Sequence, residues 1–192
     1  MDCKTADDIM KLIKEDVWMM DILKTAKALQ LPEWWICAGF VRSKIWDNLH
    51  GFEKRTRLED IDVIYFDPTN LDESIEKKYE DILKDLKMDI PWSVKNEARM
   101  HLKNNIQPYQ SCVDAISKFP ETATALGVKL NERDDIILTA PCGIDDAING
   151  IIKPSPNFLN SMEAIEIFEA RLLQKNWKQK WPMLQIVETY QK

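Results

Sequence analysis

Apolar residues recur every three to four positions near the start of the chain, at Ile9, Leu12, Ile13, Val17, Met20, Leu23 and Leu29. At 3.6 residues per turn they form one stripe, so the pattern predicts a long amphipathic helix over residues 5–30. Thr5 is placed to cap it, Asp8 three residues on completes a capping box, and Pro32 ends it.

The period then shortens. WWICA, from Trp34, reads as a short buried strand, Gly39 as the turn out of it, and residues 41–49 as a helix closed by Gly51. IDVIYFD is rich in β-branched and aromatic residues and stops at Asp67 and Pro68, which makes it the clearest strand of the chain. A charged helix over residues 71–87 follows. PWSVK, after Ile90, predicts a third strand that leads into a short helix through Arg99 and His101. Beyond residue 105 the pattern becomes short helices separated by Pro, Thr and Asn, with one strand at residues 136–140. Closing helices are expected from the Ser161 cap and again after Pro182. The expected fold is α+β: a small α/β core in residues 1–105 and a mainly helical part in residues 106–192, packed together.

Composition adds three exclusions. A chain of 192 residues, 45% apolar and 30% charged, can bury a sizeable core and carries no mark of disorder. A formal charge of −6 argues against a protein whose main task is to coat a nucleic-acid backbone, since that needs a clustered basic excess, and leaves room for a local basic site for a small anion. The four cysteines, Cys3, Cys37, Cys112 and Cys142, form no CxxC pair and suggest neither a zinc site nor a disulfide framework. The opening MDCKTADDIMK lacks a signal pattern and no apolar run is long enough to span a bilayer, so a soluble cytoplasmic protein with no membrane partner is expected.

The candidate chemistry lies in the acidic strand. Asp60 and Asp62 stand two apart at its head, and side chains at that spacing leave one face about 6.5–7 Å apart. Two such carboxylates suit Mg²⁺, which takes the rest of its shell from water and substrate phosphates. An isolated Asp-x-Asp is equally what a solvated strand end looks like. The neighbouring Gly39–Arg42 stretch strengthens the chemical reading: a glycine at a strand-to-helix turn lets the backbone approach a ligand, free amides face a phosphate, and a guanidinium can grip it. Lys95, Asn96 and Arg99 follow the third strand, where an open sheet binds ligands, and are candidate substrate contacts or else a solvated helix start.

These residues resemble a known pattern. AGFVRSKIWDNLHG followed by DIDVIYFD is similar to the signature of the polymerase-β-like nucleotidyltransferase superfamily. GFVRSKIWDNL also resembles the G-x-V-R-D-x-L element of CCA-adding enzymes and poly(A) polymerases. More extensively, residues 34–182 resemble a bacterial family of nucleotidyltransferase-like proteins, through AGFVRSKIWD, DIDVIYFD, WSVKNEARMH, PYQSCVDAI, FPETATALGV, APCGIDD and KNWKQKWP. The resemblance implies a small mixed-sheet nucleotidyltransferase core flanked by helices. It also implies catalytic Mg²⁺ or Mn²⁺ held by Asp60 and Asp62, and nucleotide phosphates held by Gly39 and the amides of Phe40 onward, with Arg42 and Ser43 beside them. Glu97 becomes the candidate third carboxylate. The implied partners are an NTP and a small-molecule or macromolecular acceptor bearing a hydroxyl.

Three positions depart from the pattern: Phe40 replaces a small residue, Ser43 stands where Asn or Asp is usual, and Glu97 where Gln is common. They keep an alternative open, a nucleotide-binding or regulatory module that retains the fold without turnover. Asp67 reads as a turn residue, His50 and His101 as structural histidines, Asp145 and Asp146 as a helix-capping pair, and the tryptophans as packing anchors.

Overall fold

The structure is a computed structural model that describes residues 3–104 and 106–187. The first predicted helix is two. α1 spans Ala6–Lys14 and α2 spans Val17–Lys27. The Thr5–Asp8 capping box forms as expected. Asp16 interrupts the helix because its carboxylate accepts the Met19 amide and so caps a new one. The re-aimed second helix leaves Val17 83% exposed, outside the stripe the periodicity assigned to it.

β1 (Trp35–Cys37), α3 (Gly39–Leu49), β2 (Ile61–Tyr65), α4 (Glu73–Leu86), β3 (Trp92–Asn96) and α5 (Glu97–Asn104) follow in the expected order. Next come α6 (Cys112–Ser117), β4 (Gly127–Leu130), β5 (Ile136–Thr139), α7 (Asp145–Ile148) and β6 (Ile151–Ile152). The chain closes with α8 (Met162–Lys175), capped by Ser161, then α9 (Trp177–Lys180) and β7 (Gln185–Ile186). The stretch after Pro182 is thus a strand that pairs with β6, where a helix was expected; its residues beyond 187 lie outside the described part.

The sheet is mixed, in the order β3-β2-β1-β4-β5. β1 runs antiparallel to β2 and β4, while β2 and β3 are parallel and joined through α4. β4, which the hydrophobic pattern did not reveal, lies directly beside β1. The sheet therefore takes strands from both sides of residue 105. Ile36, Ile61, Val63, Tyr65, Val94 and Val128 turn one face into the main core with α1, α2 and α3. Trp35, Cys37 and Ile64 turn the other face toward Cys112 and Ile116 of α6. Because side chains alternate along a strand, burying Ile61 and Val63 leaves Asp60 and Asp62 on that second side. Cys37 pairs with Asp62 in the ladder, so the acidic end of β2 adjoins the point where β1 turns into α3. Among the described residues no helix is long and apolar enough to cross a membrane.

Candidate functional site

The turn between β1 and α3 is strained. Ala38 adopts φ 55°, ψ −117°, a conformation rarely taken by a residue with a Cβ and common where a backbone is held for function. The sequence pattern puts this turn at Gly39. The strained residue is its neighbour; Gly39 itself has no positive φ, and an added Cβ would make only an ordinary contact with the Arg42 guanidinium, at 3.6 Å. No side chain caps α3; the Val41 and Arg42 amides both donate to Ala38 O, and those of Gly39 and Phe40 have no helical acceptor.

A cavity of about 130 Å³ opens at this turn. Ala38, Gly39, Arg42 and Ser43 form its floor, and Glu59, Asp60 and Asp62 its acidic side. Five of the residues singled out from sequence, Gly39, Arg42, Ser43, Asp60 and Asp62, therefore meet in one hollow. Burial pushes the Asp62 carboxyl up to about 6, and the charge of Asp60 adds to the rise. The other buried carboxyl nearby, Glu97, is pushed up to about 7 by burial and then by Asp62. Such mutual repulsion marks a place where a cation is favoured. Glu97 does not line the cavity, however, and among the described residues no group of three or more His, Cys, Asp or Glu side chains is placed to hold a metal ion.

Arg42 is an unusual cation. It is 8% exposed, has no carboxylate within ion-pairing distance among the described residues, and stacks over Trp46 at 4.9 Å and Trp177 at 4.5 Å. Among the described residues its one hydrogen bond runs from Nη2 to Ser43 Oγ at 3.4 Å, and its Nε has no partner. Burial lowers its pKa to about 10, with Glu121 acting in the opposite direction. A buried guanidinium is ordinarily paired with a carboxylate; this one rests on indole rings instead.

The opposite wall is basic and was not found from sequence. Arg171 and Lys175 of α8 and Lys180 of α9 line the cavity, together with Arg57. On a helix these charges look like a solvated face; only packing reveals that they cover a site. Lys175 and Lys180 pair with Glu59 at 2.7 and 3.4 Å, and Lys175 holds the Glu59 carboxyl below its usual range. Arg171 Nε donates to Glu121 Oε1 at 2.6 Å. The wall is fixed by tryptophans: Trp46 meets Trp177 and Trp181 edge-on, at 5.5 and 5.2 Å. His50 Nε2 accepts the Met183 amide at 2.9 Å, which leaves the proton on Nδ1 to donate to Trp46 O, a structural role as expected.

The remaining candidates lie elsewhere. Phe40 is 1% exposed and packs on Trp18, at 6.0 Å, so its side chain belongs to the core. Lys95, Asn96 and Arg99 are outside the cavity and engaged with α4 and the loop after β2. Arg99 donates twice to the fully buried Glu76, at 2.9 and 3.0 Å, and Lys95 lies 3.5 Å from Glu80. The Asn96 side-chain amide donates to the carbonyls of Asp67 and Asn70. Asp67 accepts the amide and hydroxyl of Thr69, as a turn residue does. His101 Nδ1 contacts Ala98 O at 2.9 Å.

Comparison with known proteins gives the family and the fold. The family described as Nucleotidyltransferase matches residues 24–186. A protein whose NMR structure reveals a CCA-adding enzyme head domain is 34% identical, with 96% of each chain covered and a TM-score of 0.86. The Thermotoga maritima CCA-adding enzyme complexed with tRNA is 17% identical over 94% of this chain and 42% of its own, with a TM-score of 0.57. A CCA-adding enzyme complexed with CTP is 16% identical over 94% and 43%, with a TM-score of 0.58. These last two share the fold, and the chain spans less than half of their length. No curated protein matches the sequence.

Proposed function

Because the chain belongs to the nucleotidyltransferase family, we propose that it moves a nucleoside monophosphate from an NTP to a hydroxyl acceptor, with Asp60 and Asp62 holding Mg²⁺ or Mn²⁺. The observation that carries this reading is the meeting of both aspartates with Gly39, Ser43 and the unpaired Arg42 in one cavity. The two carboxylates fit the ion: they repel each other across a partly dry space, and an oxygen pair with open positions suits a cation completed by water and phosphate oxygens. When bound, such an ion supplies charge neutralisation at the phosphoryl group.

The chain's own residues do the rest. The uncapped amides at the start of α3 face the polyphosphate. Arg42, dry and held between two indole rings, offers its unused N–H without having to reorganise. Lys175 and Lys180 exchange Glu59 for phosphate at the cavity mouth. A bond forms from the acceptor oxygen to the α-phosphorus, the bond from that phosphorus to the bridging oxygen breaks, pyrophosphate leaves and the hydroxyl proton is released. The reading includes a cytoplasmic location, where free NTP is at hand.

The test is calorimetry with ATP, CTP, GTP and UTP, with and without Mg²⁺, on the wild type and on Asp60→Asn and Asp62→Asn. The expected result is metal-dependent binding in the wild type and at least a tenfold loss of it in either variant. Identical binding by all three proteins overturns the assignment. A second reading, a nucleotide-binding module without turnover, draws support from the absence of a three-carboxylate cluster among the described residues. Metal-dependent binding with no pyrophosphate release from any acceptor mixture would identify it.

A further inference from the structure

We propose that Glu121 is a positioning residue that fixes Arg171 beside Arg42, so that two guanidiniums from α3 and α8 together hold the terminal phosphates of a polyphosphate ligand. This rests on the nucleotide reading above and adds to it a second arm of the site, supplied by the far end of the chain.

Glu121 is fully buried, and a charge in that position is costly unless every lone pair is engaged. One oxygen accepts Arg171 Nε at 2.6 Å and the other accepts Thr124 Oγ1 at 2.7 Å. Thr124 is itself buried, and the short helical turn Thr122–Thr124 places both partners. The carboxylate is thus anchored on one side and grips the guanidinium on the other. Only Nε of Arg171 is used, so both terminal nitrogens have no protein acceptor among the described residues, and the side chain lines the cavity. A guanidinium gripped at Nε presents its remaining fork to a ligand in a fixed plane, the geometry that matches phosphate oxygens.

Arg42 completes the pair. Its Nε is buried and unpartnered, and its ring stack includes Trp177, over which Arg171 also lies at 5.8 Å. Two cations beside one indole ring repel each other; Arg171 opposes the charged form of Arg42 while Glu121 favours it. An anion between them removes that repulsion. A divalent cation on the acidic side is a separate requirement, so the basic arm should bind a polyphosphate without metal.

The probe is inorganic tripolyphosphate in EDTA-containing buffer, titrated by calorimetry into the full chain. The wild type should bind it, and Arg171→Ala should weaken binding by about tenfold or more, the loss of a charge-assisted hydrogen-bonding pair. Glu121→Gln should weaken it several-fold on the wild-type background and produce no further loss on the Arg171→Ala background, because its effect passes through Arg171. No binding by the wild type, equal binding by Arg171→Ala, or an additive effect of Glu121→Gln would each overturn the proposal. Should Glu121→Gln fail to fold, Arg171→Lys decides: it keeps the charge and loses the Nε grip, and wild-type affinity in it overturns the positioning role. Arg171-dependent tripolyphosphate binding together with NTP binding that is metal-independent in the wild type and unchanged in the aspartate variants would sink the transferase reading and leave this one standing.

Discussion

The indole N–H of Trp181 donates to Asp47 Oδ1 at 2.8 Å, joining residues 134 positions apart. Asp47 is 4% exposed and also accepts the amide and hydroxyl of Thr56, at 2.8 and 2.6 Å. One carboxylate thus ties α3, the loop before β2 and the closing tryptophan, all of which line the cavity beside α8 and α9. Asp47→Ala leaves three donors without an acceptor and should lower stability by about 2–4 kcal/mol. A urea midpoint within experimental error of the wild type would contradict this.

The buried acids set a pH dependence. Asp62 and Glu97 have folded-state values near 6 and 7, above their ordinary 3.8 and 4.5. Between those limits the native state binds more protons than the unfolded one, so stability is highest below the window and falls as pH rises through it. Carboxylates held low by partners, such as Asp16 and Glu80, weaken the protein only below their ordinary values, outside that range. In metal-free buffer the melting temperature should therefore drop from pH 5 to pH 8, by the equivalent of about 1–3 kcal/mol, since each tenfold gain in proton affinity is worth ~1.4 kcal/mol. Asp62→Asn should flatten the curve. A wild-type melting temperature that is constant or rises over this range rules the explanation out.

Arg99 divides two interpretations of the WSVKNEARMH stretch. Its guanidinium neutralises Glu76, which has no exposed surface and also accepts the Asn96 backbone amide at 3.1 Å. Arg99→Met should destabilise the chain by about 3 kcal/mol, because it strands a buried charge, and should leave the affinity for NTP unchanged. If denaturation is unaffected while nucleotide binding weakens, Arg99 is a ligand contact after all.

The parts of this molecule legible in its sequence are those written locally. The Thr5–Asp8 box, the Ser161 cap, the β-branched run at Ile61–Tyr65 and the aspartates at its head each need only neighbours in the chain to be recognised. What depends on distant partners was not legible. β4 is four residues long and includes Gly127, whose place is set by close packing under Ile116 and Thr139. The fate of Lys95 and Arg99 was decided by Glu76 and Glu80, on the inward face of a helix that reads as merely charged. Arg171, Lys175 and Lys180 gave no signal for the same reason: a cation on a helix declares itself only when another element closes over it. Asp16, by contrast, carried a readable cap signal that the continuous apolar stripe concealed.

The cavity draws its acidic lining from Glu59, Asp60 and Asp62 and most of its basic lining from residues 171–180. A nascent chain therefore finishes the acidic half long before the α8 and α9 part of the basic half emerges. Until then Glu59, Asp60 and Asp62 lack the cations of α8 and α9, and any fragment cut before α8 is a half-site with Arg42 and Arg57 as its cations, whatever remains of its sheet.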